Sequence, residues 1–184
     1  MLDVRNGVGE MLSVLFQRYQ TPLFNYFLRL TGDRAASEDL VQELFYRVLK
    51  YRQSYRPGTA FRSWVYQIAR NVRIDWAQKQ RPTQELDPEQ GPTVIPMDTA
   101  QQQQEVELLR RALLALPEGK REVLVMSRYQ QLKYDEIAQV LECEVGAVKV
   151  KVHRALEELR ETVRAMESRH RVKGPAKEGL GSGL

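Results

Sequence analysis

The chain is poor in the residues that most often carry chemistry. Its 184 residues include one cysteine, Cys143, and two histidines, His153 and His170. A single thiol excludes an intramolecular disulfide, and one thiol with two imidazoles leaves a zinc site short of soft ligands. No apolar run approaches the roughly 18 residues that a membrane-spanning helix needs. The opening "MLDVRNGVGE" carries acidic residues where a signal peptide has an apolar core. The expectation is a cytoplasmic protein with no direct membrane insertion. A Gly-rich phosphate loop, a metal-ligand cluster and a nucleophile paired with its base are also missing, so the reading is of a protein that is not an enzyme and needs no cofactor.

What is present is an ordinary globular composition, 42% hydrophobic and 28% charged. The length suits one domain, or two small ones with thin cores. Lys and Arg number 28 against 24 Asp and Glu, a net charge of +4 with a pI near 9.2. That excess points toward nucleic acid, but its distribution says more than its total.

Apolar residues recur at helical spacing from Leu12 to about Arg81. The first run holds Leu12, Leu15, Phe16, Tyr19, Leu23, Tyr26, Phe27 and Leu30, and Thr31-Gly32-Asp33 then supplies a stop and an N-cap. A second run carries Leu40, Val41, Leu44, Phe45, Val48 and Leu49. A third carries Phe61, Trp64, Val65, Ile68, Ala69, Val72 and Trp76, with Pro57-Gly58 breaking the chain between them. These form one helical bundle over 10–81. Residues 82–104 hold four prolines and no basic residue, and Glu85, Asp87, Glu89 and Asp98 make them acidic. They read as a linker, whose acids would serve solubility on composition alone. Helical spacing returns with Leu108, Leu109, Ala112, Leu113 and Leu116, and Pro117 opens a further helix with Val123, Leu124 and Met126. This second bundle is expected over 105–168, followed by a Gly-rich tail, 169–184, that is expected to be disordered.

The stretch "VGAVKVKVHRALEELR", 145–160, supports two readings. Val148, Val150 and Val152 alternate with Lys149, Lys151 and His153, as in a half-buried strand. Yet the stretch runs unbroken into residues that keep a helical period, Ala155, Leu156, Leu159 and Val163, with Arg154 and Glu158 placed for an i,i+4 pair. The helix wins. It puts Val148, Val152, Ala155 and Leu159 in one stripe, and turns Lys149, Val150, His153 and Arg154 outward with Lys151 beside them. The short helical segment "YDEIAQVL" precedes it across a turn at Glu142-Cys143-Glu144. That order is a helix-turn-helix, whose second helix can enter a DNA major groove. An ordinary helical hairpin with a solvated basic face fits the same residues.

Three stretches decide between them. "DRAASEDLVQELFYRVLK" (33–50), "FRSWVYQIARNVRIDWAQKQR" (61–81) and "YDEIAQVLECEVGAVKVKVHRALEELR" (134–160), in this order around an acidic linker, resemble the sigma-70 family of bacterial RNA polymerase sigma factors. The match is with the compact extracytoplasmic-function group, which keeps only regions two and four. The resemblance covers about residues 10–165. It implies an all-α fold of two small helical domains, region 2 and region 4, joined by a flexible acidic linker. It also implies that the protein binds core RNA polymerase through the largest-subunit clamp helices and the flap, directs it to promoter DNA, and is held inactive by an anti-sigma factor.

By the same resemblance, Asp39, Leu40, Gln42, Glu43 and Leu44 would dock on polymerase; a solvated acidic face is the plainer account of the polar ones. Arg62, Arg70, Asn71, Arg73, Lys79 and Arg81 would hold the melted minus-10 strand. In 61–81 five cationic side chains face only Asp75, an electrostatic footprint for phosphates. Phe61, Trp64 and Trp76 sit on the apolar stripe and read as core. Lys149, Val150, Lys151, His153 and Arg154 would read the minus-35 duplex, Lys149 and Arg154 foremost because long cationic side chains reach guanine edges and phosphates. The linker would thread the polymerase cleft and RNA exit path. Relatives often have Ser or Thr where this chain has Lys133 and Gly where it has Glu142. Each change weakens capping or the turn by about 1 kcal/mol if uncompensated. The alternative reading is a stand-alone helix-turn-helix regulator with an N-terminal helical sensor, against which the basic 61–81 segment argues.

Overall fold

The structure, a computed structural model, describes residues 1–7, 9–80 and 100–172. Eight α-helices and no strand occur among these residues: α1 (Leu2–Arg5), α2 (Glu10–Thr31), α3 (Arg34–Lys50), α4 (Phe61–Gln80), α5 (Ala100–Ala115), α6 (Glu118–Leu124), α7 (Tyr134–Leu141) and α8 (Val145–Val172). A 3₁₀ turn, Arg52–Ser54, follows α3, and a π-turn, Val125–Tyr129, follows α6. None of these helices is long and apolar enough to cross a membrane.

The α2–α3 corner forms as its residues dictate. Gly32 takes φ +73°, a left-handed stop that an L side chain resists, and its N–H donates to the Leu28 carbonyl at 2.9 Å. Asp33 then caps α3, its carboxylate accepting from the Ala36 N–H at 3.0 Å. The corner is also a point of close approach. A Cβ on Gly32 would sit 3.1 Å from Leu114 Cδ1, a side chain of α5.

Helices α2, α3 and α4 bury their apolar stripes against one another. Leu23, Phe27, Leu44, Val48, Val65 and Ala69 are inaccessible or nearly so. Truncating Leu44 to Ala would leave a cavity costing about 2–5 kcal/mol. Tyr19 meets Phe61 at 4.9 Å between ring centroids, and Tyr55 meets Trp64 at 5.3 Å. Trp64 is buried, and Phe61 and Trp76 are half-buried against the same core, as their place on the stripe predicts. The interior does not stop there: Val123, Leu124, Val125 and Met126, then Ile137, Val148, Val152 and Ala155, continue one apolar cluster into α5–α8.

The strand reading of 145–160 is excluded. Val148, Val152 and Ala155 are buried on one side of α8, and Val150 is 48% exposed. Three sequence expectations need correction. Helix α5 starts at Ala100, so residues 100–104 are helical rather than linker. Helix α8 runs to Val172, so residues 169–172 are helical rather than tail. Glu158 pairs with Lys120 of α6 and not with Arg154, because α8 packs there on α6 and a cation from the neighbour reaches it first. The remainder of the expected linker and tail lies outside the described residues.

Candidate nucleic-acid interface

The helix-turn-helix is built from α7 and α8. Its turn turns left-handed at Glu142, φ +52°, where glycine would sit without strain. The Glu142 N–H reaches the Gln139 carbonyl at 3.4 Å and the Cys143 N–H the Ala138 carbonyl at 3.0 Å, which closes α7. The missing Ser or Thr cap at Lys133 is partly made good, since Glu136 reaches back and accepts from the Lys133 N–H at 2.8 Å. Ala138 of α7 is buried.

On α8, Lys149, Val150, His153 and Arg154 are exposed away from the valine stripe, and Lys151 is exposed on its flank. His153 Nδ1 lies 3.3 Å from Glu157. Among the described residues Lys149, Lys151 and Arg154 have no carboxylate partner. The buried valine stripe fixes the helix rotation, so three cations and a valine methyl face solvent across the first turns, the arrangement that major-groove entry requires.

The cations of α4 stand differently. Arg62 donates to the Gln130 carbonyl at 2.5 Å and lies 4.0 Å from Glu136 of α7. Arg70 Nε donates to Glu122 at 3.3 Å. Arg73 is buried, paired with Glu118 and, at 3.6 Å, with Glu122. Both carboxylates belong to α6. Glu122 is itself buried and accepts a further bond from the Tyr26 hydroxyl at 3.3 Å. Burial, and next the Glu122 charge, hold the Tyr26 phenol well above its ordinary pKa. Asn71 and Lys79 are exposed on the same helix, and Arg81 lies outside the described residues.

The contact between the halves extends past these ion pairs. Tyr66 donates to the Gln130 side chain at 2.6 Å, and Gln67 donates to Glu142 at 3.0 Å. The π-turn sets this up, since its extra residue delivers Gln130 inward with its N–H on the Val125 carbonyl. Arg121 of α6 donates to the Leu30 carbonyl at 2.5 Å and to the Leu114 and Leu116 carbonyls at 2.6 and 3.0 Å. One cation thus caps the C-terminal ends of α2 and α5, where unpaired carbonyls and the helix dipole favour it. Burial lowers the pKa of that guanidinium, as it does that of Arg29, which lies 4.4 Å over the Tyr129 ring.

The acidic face of α3 is open at Asp39 and Gln42. Glu43 is engaged with Arg47 at 2.6 Å, which also holds Asp75 of α4 at 2.6 Å. Those bonds outweigh its burial and raise the Arg47 pKa. Leu40 and Leu44, grouped with these residues by resemblance, are 4% and 0% exposed. They are corrected from contact residues to the core that fixes the rotation of α3, because their i,i+4 spacing puts both on its buried stripe.

Two family models cover this architecture in order: Sigma-70 region 2 matches residues 15–83, and Sigma-70, region 4, matches residues 106–159. The RNA polymerase sigma factor CarQ of Myxococcus xanthus is 30% identical over 166 residues, spanning 89% of this chain and 95% of the relative. The chain belongs to the sigma-70 family, in its extracytoplasmic-function group. Sigma factor YlaC of Bacillus subtilis is 29% identical over 89% of this chain and 98% of its own length. The fold is shared with CnrH, solved in complex with the cytosolic domain of CnrY, at a TM-score of 0.70 and 21% identity over 89% of this chain and 94% of that one. It is shared too with RpoE of Bartonella quintana, solved with the anti-sigma factor NepR, at a TM-score of 0.66 and 20% identity over 82% and 96%. Helices α2–α4 are thus the region 2 unit, and the α7–α8 motif lies in region 4.

Sequence reasoning missed Glu118, Glu122, Gln130 and Arg121. A signal was present for Glu122, which shares the α6 stripe with Val123 and Met126. Another was present for Arg73, four residues after buried Ala69.

Proposed function

We propose that this sigma factor binds core RNA polymerase through the acidic face of α3, directs it to promoters with minus-35 and minus-10 elements, and has no catalytic activity of its own. Residues 105–168 read the minus-35 duplex with Lys149, Val150, Lys151, His153 and Arg154. Residues 10–81 take the melted minus-10 strand on Arg62, Arg70, Asn71, Arg73, Lys79 and Arg81. Capture of the displaced strand offsets the cost of unpairing, so opening needs no nucleotide hydrolysis. The observation that carries this reading is the exposed cationic face of α8, held in register by a valine stripe within a chain that matches both sigma-70 regions. An anti-sigma factor that controls the protein from the cytoplasm is supported by RpoE of Bartonella quintana, which was captured with the anti-sigma factor NepR.

The test is transcription of a genomic fragment library by cognate core polymerase, with and without the protein, mapping new 5′ ends. Defined starts that share two upstream elements are expected. An absence of new starts, with no co-elution with core enzyme, would refute the proposal.

A further inference from the structure

We infer that Val150 of α8 is a specificity residue of the minus-35 contact, and that it reads the C5 methyl group of one thymine in the major groove. The inference deepens the reading of α8 as a duplex-binding helix and rests on it.

The rotation of α8 is fixed by Val148, Val152 and Ala155, all of them buried. At roughly 100° per residue, Val150 projects about 170° away from their mean direction. It is therefore the side chain aimed most directly outward on the first turns of the helix, and it is half exposed and outside the apolar cluster. A valine on an open helix face gives up helix propensity against alanine or lysine and leaves its methyls in water. The packing and local stability of this chain give no reason for it.

The neighbours of Val150 define what its methyls can touch. One turn earlier on the same side stands Gly146, where an added Cβ would meet nothing within 4 Å. The outward surface at that turn is bare backbone, so a base edge can approach Val150 with no longer side chain holding it off. One turn later His153 and Arg154 stand exposed to either side of it. Arg154 is long enough to take a phosphate or a guanine edge, while the short valine meets whatever lies directly beneath the helix. Valine in a helix is held largely in one χ1 rotamer, so little side-chain freedom is lost when its methyls are covered.

The chemistry of the groove then selects the base. Among the four bases only thymine carries a methyl group in the major groove; the other edges present donors or acceptors there. A cytosine amino group, or a purine N7 or O6, set against valine methyls loses its water and gains no hydrogen bond. Attraction for a methyl and a penalty on polar edges thus act in the same direction. The cations of α8 supply affinity for phosphate and guanine, and Val150 adds a contact that they cannot make.

The test uses the full-length protein at low salt. A duplex library randomised over about one helical turn, ~10 base pairs, is enriched for bound sequences. Each thymine of the enriched duplex is then replaced in turn by deoxyuridine, which removes the methyl and keeps every hydrogen-bonding group. One replacement is expected to weaken wild-type binding by roughly fourfold, the equivalent of one buried methyl-sized group. Val150→Ala should lose a similar factor on the thymine duplex and bind the thymine and deoxyuridine forms alike. Val150→Ser, with a hydroxyl in place of a methyl, should also lose the methyl dependence. Helical circular dichroism checks that both variants fold. Indifference of the wild type to every deoxyuridine replacement overturns the inference and leaves duplex reading by α8 intact. A methyl dependence that survives in Val150→Ala also overturns it, by placing the methyl against another residue. Failure of the library to yield any enriched sequence would overturn the reading of α8 itself, and the inference with it.

Discussion

Helices α4 and α8 carry the same kind of side chain and leave it in opposite conditions. On α8 the cations sit opposite a buried valine stripe and face water. On α4 Arg70 and Arg73 sit beside or on the apolar stripe, and acids from α6 meet them. Local periodicity settles the first case, because an amphipathic helix fixes which residues point out. The second depends on residues 45 to 52 positions away along the chain. A basic segment in a sequence therefore states a capacity for phosphate, and tertiary pairing decides when that capacity is available.

The contrast can be broken from the α8 side first. Replacing Lys149 and Arg154 by Ala should weaken duplex binding by about 2 kcal/mol or more, roughly thirtyfold, and leave polymerase affinity unchanged. Titration against a minus-35 duplex and co-elution with core enzyme check both halves of that statement. A parallel loss of polymerase binding would show that the two surfaces are not separate.

A smaller effect is expected at the α2–α3 corner. Gly32→Ala places a side chain at φ +73° and presses on Leu114, so stability should fall by about 1–2 kcal/mol. Chemical denaturation measures it, and an unchanged midpoint would mean that the corner relaxes freely. Charge reversal at Asp39 and Glu43 should lower affinity for core polymerase by roughly fivefold, without altering DNA binding by either helix. Unchanged affinity would remove those residues from the interface.

Tyr26 sharpens the account through pH. Its phenol is raised well above 10.0 by burial and then by Glu122. Between the unfolded pKa and the raised folded one the native state binds more protons than the unfolded chain, so stability is lost as pH rises past about 10. A stability profile of Tyr26→Phe should lack the part of that alkaline loss due to this group, and an identical profile would dissociate Tyr26 from it. The smallest expected effect is at Glu142. Glycine there relieves the left-handed strain but removes the Gln67 bond, a net change of only about 0.5 kcal/mol. Thermal denaturation checks its size, and a loss above about 1 kcal/mol would make the Gln67–Glu142 bond a principal tie between the halves.

Much of this architecture was legible in the sequence. The period of Leu23, Phe27 and Leu30, the Gly32-Asp33 stop and cap, and the outward turn of Val150 all follow from local rules, and each holds in the structure. Leu40 and Leu44 show where the reading by resemblance overreached: their spacing already placed them on the buried stripe, and grouping them with surface contacts set that aside. The π-turn was not legible, because one inserted residue in "VLVMSRYQ" leaves no compositional mark. Nor was the pairing of α4 with α6. Glu122 on an apolar stripe announced a buried partner, but only the fold identifies the partner as Arg70, Arg73 and Tyr26.

The most direct test of the central claim is a pair of footprints on one mapped promoter, the first with the protein alone and the second with the protein and core polymerase. Protection confined to the upstream element in the first, extending to a melted downstream element in the second, is the expected result. Protection of both elements by the protein alone would contradict the account, because a closed chain with α7 packed on α4 cannot reach them together.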